Sequence, residues 1–181
     1  TTHFQALPYA QLPVFMEQLV GQEGMGAKAL LFLILTAARS GEVRGATWDE
    51  IDLAARVWTI PGERMKASKA HRVPLSDAVI ALLEEMKALA LAAGRTTGKA
   101  YVFPSPNSRD PELGSALSDM TLTAVLRRLK LEAVPHGFRS TFRDWCAEQT
   151  DYPNEVAEMA LAHAVGNKVE AAYRRGDLLA K

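Results

Sequence analysis

Six polar side chains spread along the sequence have types that together could act on a phosphodiester. They are Arg39, Lys66, His136, Arg139, His163 and Tyr173. An arginine presents a planar fork of N–H donors that matches two phosphate oxygens. A tyrosine hydroxyl, with an ordinary pKa of about 10, is a weak nucleophile until a base or nearby cations stabilise its phenolate. Transfer of a phosphodiester needs a nucleophile, positive charge around the phosphate oxygens and a proton for the leaving oxygen, and this set supplies all three.

Each of these residues, considered alone, also has an ordinary structural interpretation. Arg39 follows the apolar run 29–38, so it could be a cation at the negative end of a helix dipole. His136 and Arg139 could lie on a solvated helix face, and His163 could be a cation that caps a helix. The ring of Tyr173 could pack on the core. Lys66 could belong to a charged edge that discourages sheet-to-sheet association, together with Arg64, Lys69 and Arg72.

The elements that must position these residues are mostly helices, because apolar residues recur at spacings of three and four. Helices are predicted over 8–20, 27–40, 41–45, 76–94, 118–129, 135–146 and 153–163, with a last one from Asn167. Ser76 and Ser118 are predicted to cap the helices that they begin, and Gly94 is predicted to end the first of these two. Arg39 thus ends the central helix, and Tyr173 falls in the second turn of the last one.

Three β-rich runs between turn-prone residues predict a small sheet. They cover 48–53, 57–60 and 71–75, and Lys66 lies in the connection between the second and the third. The Pro-, Gly- and Ser-rich segment 103–118 predicts a long loop within the domain. The sequence therefore predicts a mainly α fold with a small three-stranded antiparallel β-sheet, which is an α+β class.

Length and composition narrow the possible functions. The 181 residues suffice for one domain, and 21 Lys and Arg balance 21 Asp and Glu, so any nucleic-acid binding depends on local cations. The single cysteine, Cys146, cannot form an internal disulfide, which favours a reducing, cytoplasmic location, and the four histidines lack metal-ligand spacing. The run 29–38 is shorter than the about 18 residues of a membrane span, so no membrane association is predicted.

The order of the six residues and the segments around them resembles the catalytic domain of the tyrosine recombinases of the phage integrase type. The matching segments are TAARSGEV at 36–43, WDEI at 48–51, Lys66 ahead of RVPL at 72–75, PHGFR at 135–139, LAH at 161–163 and Tyr173. The resemblance covers nearly the whole chain and keeps the order and the gaps of the family. Within the family, the chain is similar to the integrases of prophages and genomic islands.

The resemblance implies a role for each residue. Arg39 and Arg139 would stabilise the transition state, and Tyr173 would be the nucleophile. The supporting roles fall to His136 as the base, His163 as a hydrogen-bond donor to the phosphate, Lys66 as the acid for the leaving 5′ oxygen, and Glu42 as the residue that orients Arg39 or supports the fold. Lys69, Arg72 and Arg143 are expected to contact DNA.

Two features depart from the commonest family pattern. Leu161-Ala162-His163 stands where the family most often has Leu-Gly-His, and the interval from His163 to Tyr173 is one residue longer. Both resemble traits of the prophage and island subgroup, so Tyr173 keeps its predicted role.

The implied reaction forms a covalent 3′-phosphotyrosyl intermediate and needs no metal, ATP or other cofactor. The implied partners are double-stranded DNA at attachment sites, a four-way junction, a homotetramer on DNA and an excision accessory protein. Residues 1–181 would be a single catalytic domain without the amino-terminal DNA-binding domains and part of the C-terminal tail, and this chain alone is expected to be monomeric.

Three other functions remain open at this point. The chain could bind DNA or junctions without cleaving them, or relax supercoils in the manner of type IB topoisomerases. It could also be a helical interaction module whose arginine, histidine and tyrosine residues are structural. Covalent attachment to DNA that depends on Tyr173 distinguishes the recombinase from a protein that does not cleave DNA.

Overall fold

The structure is a computed structural model that describes residues 5–163. In chain order these residues form α1 (Leu12–Val20), α2 (Met25–Thr36), α3 (Ser40–Arg44), β1 (Ile51–Asp52), β2 (Val57–Ile60), β3 (His71–Pro74), α4 (Asp77–Ala92), α5 (Thr121–Arg128), α6 (Gly137–Gln149) and α7 (Asn154–Ala160). The three strands form one antiparallel sheet in the order β1-β2-β3, with Ile51 opposite Trp58 and Ile60 opposite His71. The predicted mainly α fold with a small antiparallel sheet is confirmed. The predicted last helix lies outside the described residues.

Helix α2 is the centre of the core because nearly every side of it is apolar. It packs against α1, α3, α4 and α5. Gly26 lets α5 approach closely, since a Cβ there would lie 2.8 Å from Thr121 Cγ2. Phe32 joins the helices to the sheet and to the long loop, with its ring centroid 5.0 Å from that of Trp58 and 5.2 Å from that of Phe103. The site elements are therefore mounted on one continuous core.

The prediction that the central helix reaches residue 40 is wrong. Helix α2 ends at Thr36, and Ala37 adopts the left-handed conformation, with φ at 51°. The N–H of Ala38 then donates to the Leu33 carbonyl at 3.2 Å, which closes a Schellman turn. Arg39 lies beyond this turn, in extended backbone, as the N-cap of α3. The interpretation of Arg39 as a cation at the C-terminal end of the central helix is therefore wrong as well.

The first predicted strand is shorter than expected. Residues Trp48–Glu50 form a 3-10 turn, and only Ile51–Asp52 pair with β2. The N–H groups of Trp48 and Asp49 donate instead to the carbonyls of Ala100 and Gly98, at 3.2 and 2.7 Å. These bonds draw the start of the segment away from the sheet and onto the loop that follows α4.

Two details of the predicted helices also differ. Helix α5 begins at Thr121 and not directly after Ser118, whose carbonyl accepts the Thr121 N–H and closes a turn in front of the helix. In α6, Phe138 and Cys146 are buried as predicted, but Trp145 is 43% exposed, while Arg139 and Thr141 are buried as well. Ser76 caps α4 by accepting the Val79 N–H, and Gly94 ends it with φ at 74°, both as predicted.

Candidate active site

Arg39 is held at the start of α3 by the carboxylate of Glu42. Its backbone N–H donates to Glu42 Oε2 and its Nη1 donates to Glu42 Oε1, both at 2.9 Å. Glu42 is buried, and its backbone carbonyl accepts hydrogen bonds from Arg64. An acidic side chain at the third helical position that returns to the N-cap backbone is half of a capping box. Here the same carboxylate also directs the guanidinium of Arg39.

Arg139 is almost completely buried, with 4% of its surface exposed. Its Nη1 donates to the Ala37 carbonyl at 2.6 Å, and its Nη2 donates to the Leu161 carbonyl. These carbonyls lie where α2 and α7 end, so the negative ends of two helix dipoles face the guanidinium. The interpretation of Arg139 as part of a solvated helix face is therefore wrong.

The two arginines meet at the Leu161 carbonyl. Arg39 Nη2 lies 3.5 Å from the oxygen to which Arg139 also donates. Burial, followed by the charge of Arg39, lowers the pKa of Arg139 to about 10, so the Arg139 guanidinium remains cationic at neutral pH. Two fixed guanidinium groups side by side repel one another unless an anion lies between them. The arrangement is suited to the non-bridging oxygens of a phosphate.

Two of the predicted histidines lie beside this pair. His163 Nε2 is 3.3 Å from Arg139 Nη2. His136 lies in the turn that precedes α6, where burial and the charges of Arg139 and Arg39 lower its pKa. A lowered pKa keeps the His136 ring neutral at pH 7, which is the form that accepts a proton. The structure thus brings four of the six predicted residues together.

Three of the remaining predicted residues are exposed cations on or beside the sheet. Lys66 and Lys69 are exposed in the connection between β2 and β3, and Arg72 is exposed on β3. Arg143 on α6 forms an ion pair with Glu158, with Arg143 Nε 2.6 Å from Glu158 Oε1. Tyr173 lies outside the described residues. The DNA-contact roles of Lys69, Arg72 and Arg143 stay predictions.

His71, the first residue of β3, lies near the site although the sequence motifs did not predict it. Burial lowers its pKa, while Glu42 and a hydrogen bond with the Ala160 carbonyl act in the opposite direction, and the charges of Arg139 and Arg39 lower it further. His71 therefore lies close enough to the two arginines to interact with their charges. Its position directly before the RVPL segment was the available signal, but strand periodicity does not show which residues a strand end will meet.

The described residues hold neither a metal-binding cluster nor a membrane-spanning helix. Among residues 5–163 there is no group of three His, Cys, Asp or Glu side chains that could hold a metal ion. Nor does a helix in that range have the length and apolarity needed to cross a bilayer. The arginine and histidine cluster at the ends of α2 and α7 is the candidate active site.

Comparison with known proteins identifies the family of the chain. Residues 9–178 match the model of the Phage integrase family. The chain belongs to the phage integrase family. The family match includes every residue of the candidate active site and extends over Tyr173. The family that the sequence motifs predicted is therefore confirmed.

Individual relatives show how far the similarity reaches. This integrase-family chain is 37% identical over 173 residues to the prophage integrase IntA of Escherichia coli K12, which covers 93% of the chain and 39% of that relative. It is similar in fold to the XerA recombinase, with a TM-score of 0.66 at 15% identity over 99% of the chain and 62% of XerA. A Tn1549 transposon integrase, solved as its residues 82–397 in complex with transposon right end DNA, gives a TM-score of 0.65 at 16% identity, over 100% of this chain and 68% of that solved chain. The chain therefore spans about two-fifths of the length of the relative IntA.

Proposed function

We propose that this chain is the catalytic domain of a site-specific tyrosine recombinase that integrates and excises a prophage or genomic island. The observation that carries the proposal is the convergence of Arg39 and Arg139 on the Leu161 carbonyl, with His136 and His163 beside them. The family match and the name of the relative IntA, a prophage integrase, support the same function. Burial of the Arg139 guanidinium costs free energy, and a cationic site for a phosphate is a function that offsets this cost.

In the proposed reaction, the Tyr173 hydroxyl oxygen attacks the phosphorus of a DNA strand. A 3′-phosphotyrosyl bond forms, and the bond from phosphorus to the 5′ oxygen breaks. The tyrosine proton passes to His136, and Lys66 supplies a proton to the departing 5′ oxygen. Arg39, Arg139 and His163 stabilise the charge on the non-bridging oxygens. The phosphodiester energy is kept in the tyrosyl bond, so the proposal requires no ATP and no metal.

The whole protein would use this reaction twice. The free 5′ hydroxyl of one duplex attacks the phosphotyrosyl bond of another, and two such exchanges pass through a four-way junction held by a homotetramer. In the proposed organisation, this chain is a single catalytic domain, and amino-terminal domains read the attachment site. An accessory protein would favour excision, and the location would be the bacterial cytoplasm, at the nucleoid.

The test is covalent capture by the natural protein that contains this sequence. The substrate is a library of nicked duplexes with a randomised core, in which the cleaved 5′ hydroxyl fragment diffuses away and traps the intermediate. We expect protease-sensitive, 3′-linked adducts in denaturing gels and their complete loss with Tyr173→Phe. Tyr152→Phe is the matched control, because Tyr152 is an exposed tyrosine that precedes His163. Binding without any adduct would contradict the proposal and favour a protein that binds DNA without cleaving it.

A further inference from the structure

A chain of polar contacts connects α6 to His163 through one carboxylate. Glu158, on α7, places Oε2 at 2.7 Å from His163 Nδ1 and Oε1 at 2.6 Å from Arg143 Nε. Arg143 Nη2 also donates a hydrogen bond to Oδ1 of Asn154, at the start of α7. The other nitrogen of His163, Nε2, points to Arg139 at 3.3 Å. Glu158 therefore contacts one nitrogen at the edge of the imidazole ring, and Arg139 lies beside the other nitrogen.

This geometry determines which ring nitrogen carries the proton. A carboxylate only accepts hydrogen bonds, so Nδ1 must be the protonated nitrogen that donates to Glu158. In the neutral ring, Nε2 is then free of hydrogen and accepts a hydrogen bond from Arg139. In the protonated ring, Nδ1–H remains on Glu158, and Nε2–H becomes a donor that faces the site. The hydrogen bonds from Arg143 and His163 outweigh the effect of burial and lower the pKa of Glu158, which keeps this acceptor ionised.

We infer that Glu158 is a positioning residue, which fixes the orientation and the tautomer of His163, and that Arg143 holds Glu158 in place for this task. The inference rests on the proposed function, because it assigns the purpose of His163 in the same site. It also gives Arg143 a second role beside the DNA contact that the sequence predicts. Histidines at other reactive centres are oriented through their second nitrogen in the same way.

The first test reads the tautomer directly and needs no activity. The ring nitrogens of this chain are labelled with 15N, the His163 signals are assigned with His163→Gln, and spectra are recorded at a pH where the ring is neutral. We expect protonated Nδ1 and bare Nε2 in the wild type. Glu158→Met, which keeps the volume but offers no acceptor, should change this pattern, and Glu158→Gln should keep it through the amide oxygen. A wild-type ring protonated on Nε2 overturns the inference.

The second test measures single-turnover cleavage of the nicked duplex by the natural protein. We expect Glu158→Met to slow cleavage by about tenfold to a hundredfold, the range known for the outer partners of metal-bound histidines, with DNA affinity unchanged. Glu158→Gln should recover most of the rate. The control is Glu148→Met. Glu148 also lies on a helix near the site, but its carboxylate accepts a hydrogen bond from the Tyr9 hydroxyl and not from His163.

The outcomes separate this inference from the proposed function. If Glu158→Met cleaves as fast as the wild type, the inference is wrong and the recombinase function stands. If the tautomer changes as expected but even the wild type forms no adduct, the orientation of His163 by Glu158 stands and the recombinase function fails. Equal losses with the Met and Gln variants would also overturn the inference, since only the charge and not the acceptor would then matter.

Discussion

At the scale of single residues, Arg139 shows how a charge can be buried with no acidic side chain from residues 5–163 in direct contact with it. Its two terminal nitrogens donate to the carbonyls of Ala37 and Leu161, which helix ends leave without partners inside their own helices. The guanidinium fork spans both carbonyls at once. It also holds the ends of α2 and α7 together, so this side chain has a structural task beside the chemical task that we propose for it.

We therefore expect Arg139→Lys to lower the free energy of unfolding by about 1–3 kcal/mol, because an ammonium group cannot reach both carbonyls and one is left unsatisfied. Urea unfolding followed by circular dichroism measures this change. Arg127→Lys is the control, since Arg127 is exposed on α5, and it should change stability by less than about 0.5 kcal/mol. Equal midpoints for all three proteins would show that the two carbonyl bonds do not stabilise the fold.

At the scale of elements, two Schellman turns build the site. Helix α7 ends as α2 does, with Ala162 in the left-handed conformation at φ of 51° and the His163 N–H donating to the Glu158 carbonyl at 2.8 Å. This reversal turns the Leu161 carbonyl toward the arginines and places His163 next to them. The family pattern most often has glycine at this point, and the left-handed backbone supplies the reason, because a Cβ is strained there.

The strain at Ala162 leads to a stability prediction. We expect Ala162→Gly to raise the free energy of unfolding by about 0.5–1 kcal/mol, since relief of the left-handed alanine outweighs the added freedom of the unfolded chain. Thermal unfolding of the two proteins checks the sign. Ala81→Gly serves as the reference, because Ala81 is an exposed interior residue of α4 and glycine there should cost about 1 kcal/mol. A loss of stability at both positions would argue against the left-handed turn.

At the scale of the whole molecule, a net charge of zero means that DNA attraction depends on local cations. The described cations that could serve include the site arginines and exposed residues such as Lys69, Arg72 and Arg128. In the proposed organisation, most of the attachment site is read by amino-terminal domains. This chain by itself should then hold DNA through a small number of phosphates.

We expect this chain alone to bind duplex DNA weakly and with a steep dependence on salt. If it neutralises about four phosphates, a fourfold rise in salt should weaken binding about a hundredfold. Fluorescence anisotropy with a labelled duplex measures the slope, and light scattering in the same buffers should show a monomer without DNA. Salt-independent binding, or a stable tetramer at micromolar concentration, would contradict this account.

The sequence by itself determined the class of fold and the family, and it predicted which side chains are reactive. Apolar periodicity is a local property, so α1, α4, β2 and β3 followed from it. The family was identified by the order of Arg39, Lys66, His136, Arg139, His163 and Tyr173. What periodicity could not show was where α2 ends, because a left-handed alanine at residue 37 has no compositional signal of the kind that glycine provides.

Only the tertiary structure decided how the site is assembled. The burial of Arg139, its shared acceptor with Arg39, the approach of His71 and the contact of Glu158 with His163 join residues that are far apart in the chain or on opposite sides of a turn. Such contacts depend on how α2, α6, α7 and the sheet pack around one core. Packing is a property of all elements together, and the spacing of residues within one element does not encode it.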